Sequence, residues 1–179
     1  MHQEIIISGF GGQGALFAGQ LIAYAGLSEG RHVTWIPSYG PEMRGGTANC
    51  TVVVSDEEIG SPLVRRPTAA IVLNPPSFER YEPLVKEDGV LLVNASLISA
   101  PTRRADIRRF DIKANEEAAE LGAAQMANMI LVGALVAATG VLKMETLDQV
   151  LEERVSARHR DKLQANKEAL RRGATLVKG

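Results

Sequence analysis

Cysteine is nearly absent from this 179-residue chain, with Cys50 as its only thiol. A lone cysteine closes no intrachain disulfide, and it falls short of the roughly four thiolates that an iron–sulfur cluster takes. Histidine is nearly as scarce, at three residues, so a zinc site of ordinary Cys/His spacing is excluded. A surplus of charge is also missing: 20 Lys+Arg face 21 Asp+Glu, a formal net charge of −1. That balance gives no electrostatic reason to expect nucleic acid or an anionic membrane as partner. The Arg and Lys that gather after residue 100 read as a solvated basic helix face. The N-terminal Met1-His2-Gln3-Glu4 runs directly into a short apolar stretch, without the basic region and long apolar core of a signal peptide. The most hydrophobic stretch, around Ile130 to Thr139, is too short and too Gly-punctuated to span a bilayer. The expectation is a soluble, cytoplasmic protein with one domain over residues 1–179, long enough to bury a single core.

What is present is an alternation of short apolar runs and helical patterns. Glu4 to Ser8 is a continuous β-branched run, as in a strand buried on both faces. A glycine cluster follows, then Ala15 to Ser28 at helical spacing, closed by Gly30 where a C-terminal glycine belongs. His32 to Ile36, Ala48 to Val54, Ala69 to Leu73 and Gly89 to Asn94 read as strands, and Arg103 to Ile112 as an edge strand. Asn74-Pro75-Pro76 opens a short helical segment reaching about Leu84. Beyond residue 114 the pattern is helical throughout, over Asn115–Leu121, Ala127–Thr139, Met144–Val155 and Ala157–Arg172. The fold class this predicts is α/β in three layers: a mainly parallel sheet with helices on its faces, a Rossmann-like first βαβ unit and a helical C-terminal third.

Gly9-Phe10-Gly11-Gly12-Gln13-Gly14 satisfies G-x-G-x-x-G between a strand and a helix. Glycines allow close backbone approach, and a helix N-terminus offers unpaired N–H groups to an anion. A nicotinamide dinucleotide site also wants an Asp or Glu at the end of the second strand. That strand ends Trp35-Ile36-Pro37-Ser38, and the next carboxylate is Glu42, which argues against NAD. Two readings stay open: Gly11, Gly12, Gln13 and Gly14 present N–H groups to a phosphate or a partner's cofactor, or the glycines only make a tight turn.

Tyr39-Gly40-Pro41-Glu42-Met43-Arg44-Gly45-Gly46 is the less ordinary loop. It sets an aromatic, a carboxylate, a thioether and a guanidinium between two backbone reversals. In a parallel sheet this loop can lie beside the first at the carboxyl edge, where ligands bind. Arg44 could meet an anion there, Glu42 and Arg44 could pair with each other, or the loop could dock on another subunit, since Tyr, Met and Arg are enriched at interfaces.

These motifs, in this order, resemble the gamma subunit of 2-oxoacid:ferredoxin oxidoreductases. The resemblance is carried by Gly11-Gly12-Gln13-Gly14 and by Tyr39 to Gly46. It continues in Ala127-Asn128-Met129-Ile130-Leu131-Val132-Gly133-Ala134-Leu135, which is similar to that family's A-N-M-x-x-x-G-A-L helix, and in Asn166 with Gly173. It covers about residues 4 to 175. It implies CoA-dependent oxidative decarboxylation of a 2-oxoacid with reduction of ferredoxin, performed by an assembly of alpha, beta, gamma and sometimes delta chains. Thiamine diphosphate with its Mg²⁺ and the iron–sulfur clusters would lie in partner chains, and CoA would be the cosubstrate. The resemblance places Gly11, Gly12, Gln13, Gly14 and Arg44 toward CoA or a partner-bound cofactor. It places Tyr39, Pro41, Glu42, Met43, Arg44, Gly45, Gly46 and Asn128 at the subunit interface, with no catalytic residue in this chain. The Pro-Glu-Met-Arg-Gly-Gly run is closer to 2-oxoglutarate or branched-chain enzymes than to pyruvate-type chains, whose second loop is nearer F-G-x-E-R-R-G, and 2-oxoglutarate is the favoured substrate. The alternatives are a free-standing nucleotide-binding protein that uses Gly9–Gly14 and a purely structural scaffold whose loops only pack against partners. An uncovered interface would also let isolated copies pair as homodimers.

Other polar and soft residues have plainer expectations. Asn128, at the start of an apolar helix, should tie that helix to a neighbouring loop. Met126, Met129 and Met144 read as core filler, Cys50 as a small buried hydrophobe, Trp35 as core or partner packing, and His159 as exposed. Ser8 and Ser38 have no adjacent histidine base, so a hydrolase triad finds no support.

Overall fold

The computed structural model describes residues 1–38, 47–154, 160 and 162–177. In chain order these form β1 (His2–Phe10), α1 (Ala15–Ser28), β2 (His32–Ser38), β3 (Thr47–Ser55), β4 (Ala69–Val72), α2 (Pro75–Tyr81), β5 (Val90–Asn94), β6 (Arg108–Ile112), α3 (Ala114–Glu120), α4 (Ala127–Thr139), α5 (Met144–Arg154) and α6 (Leu163–Thr175). Two of these boundaries have a clear local cause. α1 ends where Gly30 takes φ 73 and the Arg31 N–H turns back to the Gly26 carbonyl, a glycine-closed C-terminus. α2 begins because Asn74 Oδ1 accepts the Ser77 N–H at 2.9 Å, with proline in the first turn.

The strands form one sheet in the order β2-β3-β1-β4-β5-β6. The β1–β4, β4–β5 and β5–β6 pairings are parallel, whereas β3 runs antiparallel to both β1 and β2. The sheet is therefore mainly parallel, as the alternation of strands and helices predicts. The first βαβ unit keeps its parallel sense, but β3 is inserted between its two strands. The cause is chain length: the connection from Ser38 to Thr47 is too short for the crossover that a parallel neighbour needs, so β3 returns antiparallel.

The two faces are covered unequally. On one, Ile5, Ile7, Cys50, Val52, Ile71 and Leu92 pack against α1, α3, α4, α5 and α6 in the larger core. On the other, Ile6, Val72, Leu91 and Val93 meet Phe78 and Tyr81 of α2. α4 is buried at every residue from Asn128 to Val136, and it crosses α6 with backbone against backbone. A Cβ on Gly133 would lie 1.9 Å from the Leu170 carbonyl oxygen, and one on Gly173 would lie 1.8 Å from that of Ile130. This contact gives the two glycines of the A-N-M helix and the closing segment their physical role. Met126 and Met129 are buried in the same core, and Met144 packs at its margin. Among the described residues no helix is long and apolar enough to cross a membrane.

Candidate functional site

The site grows from the carboxyl end of β1. Past Phe10 the chain reverses through Gly11–Gly14, with Gly12 at φ 95 and Gly14 at φ 77, values in the left-handed region that favours glycine. The reversal is braced from inside by Gln13. Its N–H donates to the Phe10 carbonyl at 3.1 Å, and its Oε1 accepts the Phe10 N–H at 2.6 Å. Its Nε2 donates to the Leu73 carbonyl at 3.3 Å, and Asn74 Nδ2 donates to Oε1 at 3.4 Å. The Gln13 side chain thus ties the loop to the end of β4, and the donors left for a ligand are backbone groups. Gly14 caps α1 with no side chain. The first rung of the helical ladder is the Ala18 N–H on the Gly14 carbonyl. The N–H groups of Ala15, Leu16 and Phe17 therefore have no helical acceptor and carry the positive end of the helix dipole. A Cβ at Gly12 would meet nothing within 4 Å, so among the described residues the loop is open at Gly12.

Asn128 closes the corner. It is 7% exposed, and its Nδ2 donates to the Gly14 carbonyl at 3.2 Å, so the second residue of α4 is stitched to the first turn of α1. A Cβ on Gly14 would lie 2.3 Å from that nitrogen. Asn128 Oδ1 is buried and finds no partner among the described residues.

The same edge is braced by residues that belong to neither glycine loop. Asn94 Nδ2 reaches Asn115 Oδ1 at 3.0 Å and the Leu73 carbonyl at 3.4 Å, and Ser8 Oγ meets Ser77 Oγ at 2.8 Å. Asn74, Asn94, Ser8 and Ser77 are all buried; the bonds that link Ser8 to Ser77 and Ser77 to Asn74, with that of Asn94 to the Leu73 carbonyl, fix the carboxyl ends of β1, β4 and β5. The available signal was positional: Asn74 lies just past β4 and Asn94 ends β5. Ser8 has a serine for a neighbour rather than a base, so it makes no triad.

The second loop, with Tyr39, Pro41, Glu42, Met43, Arg44, Gly45 and Gly46, lies outside the described residues, as does His159. Its anchors are described. Thr47 pairs with Phe10 and Ser38 pairs with Asn49, so both ends of the loop sit at the edge that holds Gly11–Gly14. The inserted β3 also means that β2 does not adjoin β1. The place where a dinucleotide site keeps its ribose-binding acid is therefore taken by an antiparallel strand that starts at Thr47.

Cys50 lies behind this corner, fully buried, with Sγ 3.4 Å from the Ala15 carbonyl. Burial pushes its thiol up to about 12, so it stays protonated and unreactive at neutral pH. Gly19 makes room for it, since a Cβ there would lie 2.3 Å from Sγ. Trp35 packs at the margin of the same core. No group of three or more His, Cys, Asp or Glu among the described residues could hold a metal ion.

Comparison with known proteins fits this architecture. The family model described as pyruvate ferredoxin/flavodoxin oxidoreductase matches residues 4–176. Ketoisovalerate oxidoreductase subunit VorA of Methanothermobacter thermautotrophicus is 41% identical over 134 residues, which is 75% of this chain, but the chain spans only 28% of the length of that relative. The 2-oxoglutarate synthase subunit KorC of Methanocaldococcus jannaschii is 34% identical over 158 residues, covering 87% of this chain and 84% of the relative. The keto/oxoacid ferredoxin oxidoreductase gamma subunit of Geobacter sulfurreducens superimposes with a TM-score of 0.87 at 28% identity, over 99% of this chain and 97% of that one. The chain belongs to the pyruvate ferredoxin/flavodoxin oxidoreductase family, and it matches a gamma subunit of that family from end to end.

Proposed function

We propose that the chain is a one-domain, gamma-type subunit of a cytoplasmic 2-oxoacid:ferredoxin oxidoreductase, inactive alone. In the assembly it takes part in CoA-dependent oxidative decarboxylation of a 2-oxoacid, with ferredoxin as electron acceptor. The observation that carries this reading is the end-to-end match to a separate gamma chain, 97% of whose length is covered. Iron–sulfur clusters belong to partner chains, because the only cysteine is Cys50 and it is packed in the core. Thiamine diphosphate and its Mg²⁺ are assigned to the alpha and beta chains on the same reading.

The open corner supports a ligand-facing role for this chain's own residues. The N–H groups at the start of α1 that find no acceptor among the described residues, exposed Gly11 and Gly12, and, on the sequence reading, the Arg44 guanidinium suit the diphosphate of CoA. Gln13 and Asn128 hold that corner in shape. Among 2-oxoacids we favour 2-oxoglutarate: KorC is matched along most of its length, whereas VorA, though more alike per residue, is matched along only 28% of its own. The free-standing nucleotide-binding reading is weakened by β3, which occupies the place beside β1 that a dinucleotide site needs.

The test is co-expression of the partner chains with and without this one under anoxic conditions, assaying ferredoxin reduction with 2-oxoglutarate, ketoisovalerate and pyruvate. CoA-dependent activity that appears only when the chain is present, and is highest on 2-oxoglutarate, is the expected result. Full activity without the chain would overturn the reading, and highest activity on another oxoacid would overturn the substrate assignment alone.

A further inference from the structure

α1 carries no charged residue in its fourteen positions, Ala15 to Ser28, and neither does α4. A helix that is apolar on every side is built to be enclosed. α4 is enclosed within the chain. Among the described residues α1 is not: Ala18, Leu21, Ile22 and Ala25 face the core, while Phe17 is 41% exposed and Leu27 is 54% exposed. The outward residues Phe17, Gln20, Tyr24 and Leu27 follow each other at intervals of three, four and three. This is the spacing of a seam that receives another helix. Alongside it, α5 leaves a groove of about 240 Å³ lined in part by Phe17, Tyr24, Val150 and Arg154. The Arg154 guanidinium stacks 3.8 Å from the centre of the Tyr24 ring. Aromatic rings and arginine around an apolar groove are the composition of an interface centre.

We infer that the outer face of α1, with the α5 groove, is the docking seam for a helix of the larger oxidoreductase chain. The inference rests on the function proposed above. Two observations select that occupant. In VorA the segment matching this chain is only 28% of the polypeptide, so there the same domain has a larger, non-identical neighbour tethered to it. The seam is also continuous with the candidate site: Phe17 stands in the first turn of α1, just past Gly14, so a helix laid along it brings the neighbour to the open glycine corner. Docking and ligand access then share one end of α1.

The test is a Phe17→Glu/Leu27→Lys double variant of the tagged chain, purified from its native host under anoxic conditions. An acid in the first turn and a base in the last suit the helix dipole, so the fold should tolerate both. Leu63→Glu is the control; Leu63 is 74% exposed, and the adjoining Val64 packs on the opposite face of the sheet. Recovery of identified oxidoreductase chains should fall about tenfold or more in the double variant, as for loss of an interface centre. It should stay unchanged in the control, with the thermal melt of each isolated chain near wild type. Wild-type recovery by the double variant would overturn the seam, including the case where an isolated wild-type dimer becomes a monomer in the variant, which would assign the seam to a second copy. If even the wild-type chain recovers no oxidoreductase chain, it is the proposed function that fails.

Discussion

Two sets of glycines in this molecule look alike in the sequence and do opposite work. At the α4–α6 crossing, Gly133 and Gly173 are glycine because no other residue fits: a Cβ would sit within 2 Å of a facing carbonyl oxygen. At the start of α1, Gly12 is glycine although the described residues leave open space around it, and only its φ of 95 requires it. Gly14 stands between the two, with both a left-handed φ and a crowding partner in Asn128. A crowded glycine marks where the chain touches itself, and an uncrowded one leaves backbone donors facing outward. The first kind should be read through stability and the second through ligand dependence.

That contrast can be broken experimentally. The largest effect is expected for Gly133→Ala or Gly173→Ala. Neither backbone can yield without parting α4 from α6, so each should cost about 3 kcal/mol, at the upper end for overpacking, read as a large fall in the urea midpoint. Gly14→Ala should cost about 2 kcal/mol, combining left-handed strain with the clash on Asn128. Part of that should be recovered when Asn128→Ala removes the clashing amide, which a double-mutant cycle would measure. Gly12→Ala should cost only about 1 kcal/mol, the conformational strain alone, yet raise the KM for CoA in the assembled enzyme severalfold. An equal loss of stability at Gly12 and Gly133 would erase the distinction.

The smallest effect concerns Cys50, which should be invisible at neutral pH. The folded thiol ionises only near about 12, whereas an unfolded one does so near about 8.5. Between those values the folded chain keeps a proton that the unfolded chain has lost. Its contribution is therefore fully present below about pH 8.5 and declines as pH rises toward 12. A thiol reagent at pH 8 should label Cys50 only as fast as the chain opens, and rapid labelling of the native protein would contradict its placement.

Much of this was legible in the sequence, because it rests on local rules. The β-branched run of β1, the glycine stop after α1 and the uncharged run of α4 each declare themselves through side-chain pattern, and α4 spans Ala127–Thr139 as its pattern predicts. Sheet order was less legible, since alternation identifies a strand and leaves its neighbour open. The short connection between Ser38 and Thr47 was the clue, because it cannot hold a crossover helix. The corner was partly legible. The glycine motif announces a turn, but only the fold reveals that Gln13 faces inward, that Asn128 reaches Gly14 across the chain, and that Asn74 and Asn94 brace the same edge. Those contacts join residues far apart in sequence, and pattern alone does not pair them.

Whether the chain works as part of an oxidoreductase assembly is decided by a mild anoxic purification of the tagged wild-type chain from its native host, followed by identification of bound chains and assay of 2-oxoacid-dependent, CoA-dependent dye reduction. Thiamine-diphosphate and iron–sulfur chains should co-purify, with activity greatest on 2-oxoglutarate. A chain recovered alone and inactive, from cells in which those partners are being made, would contradict the proposed function.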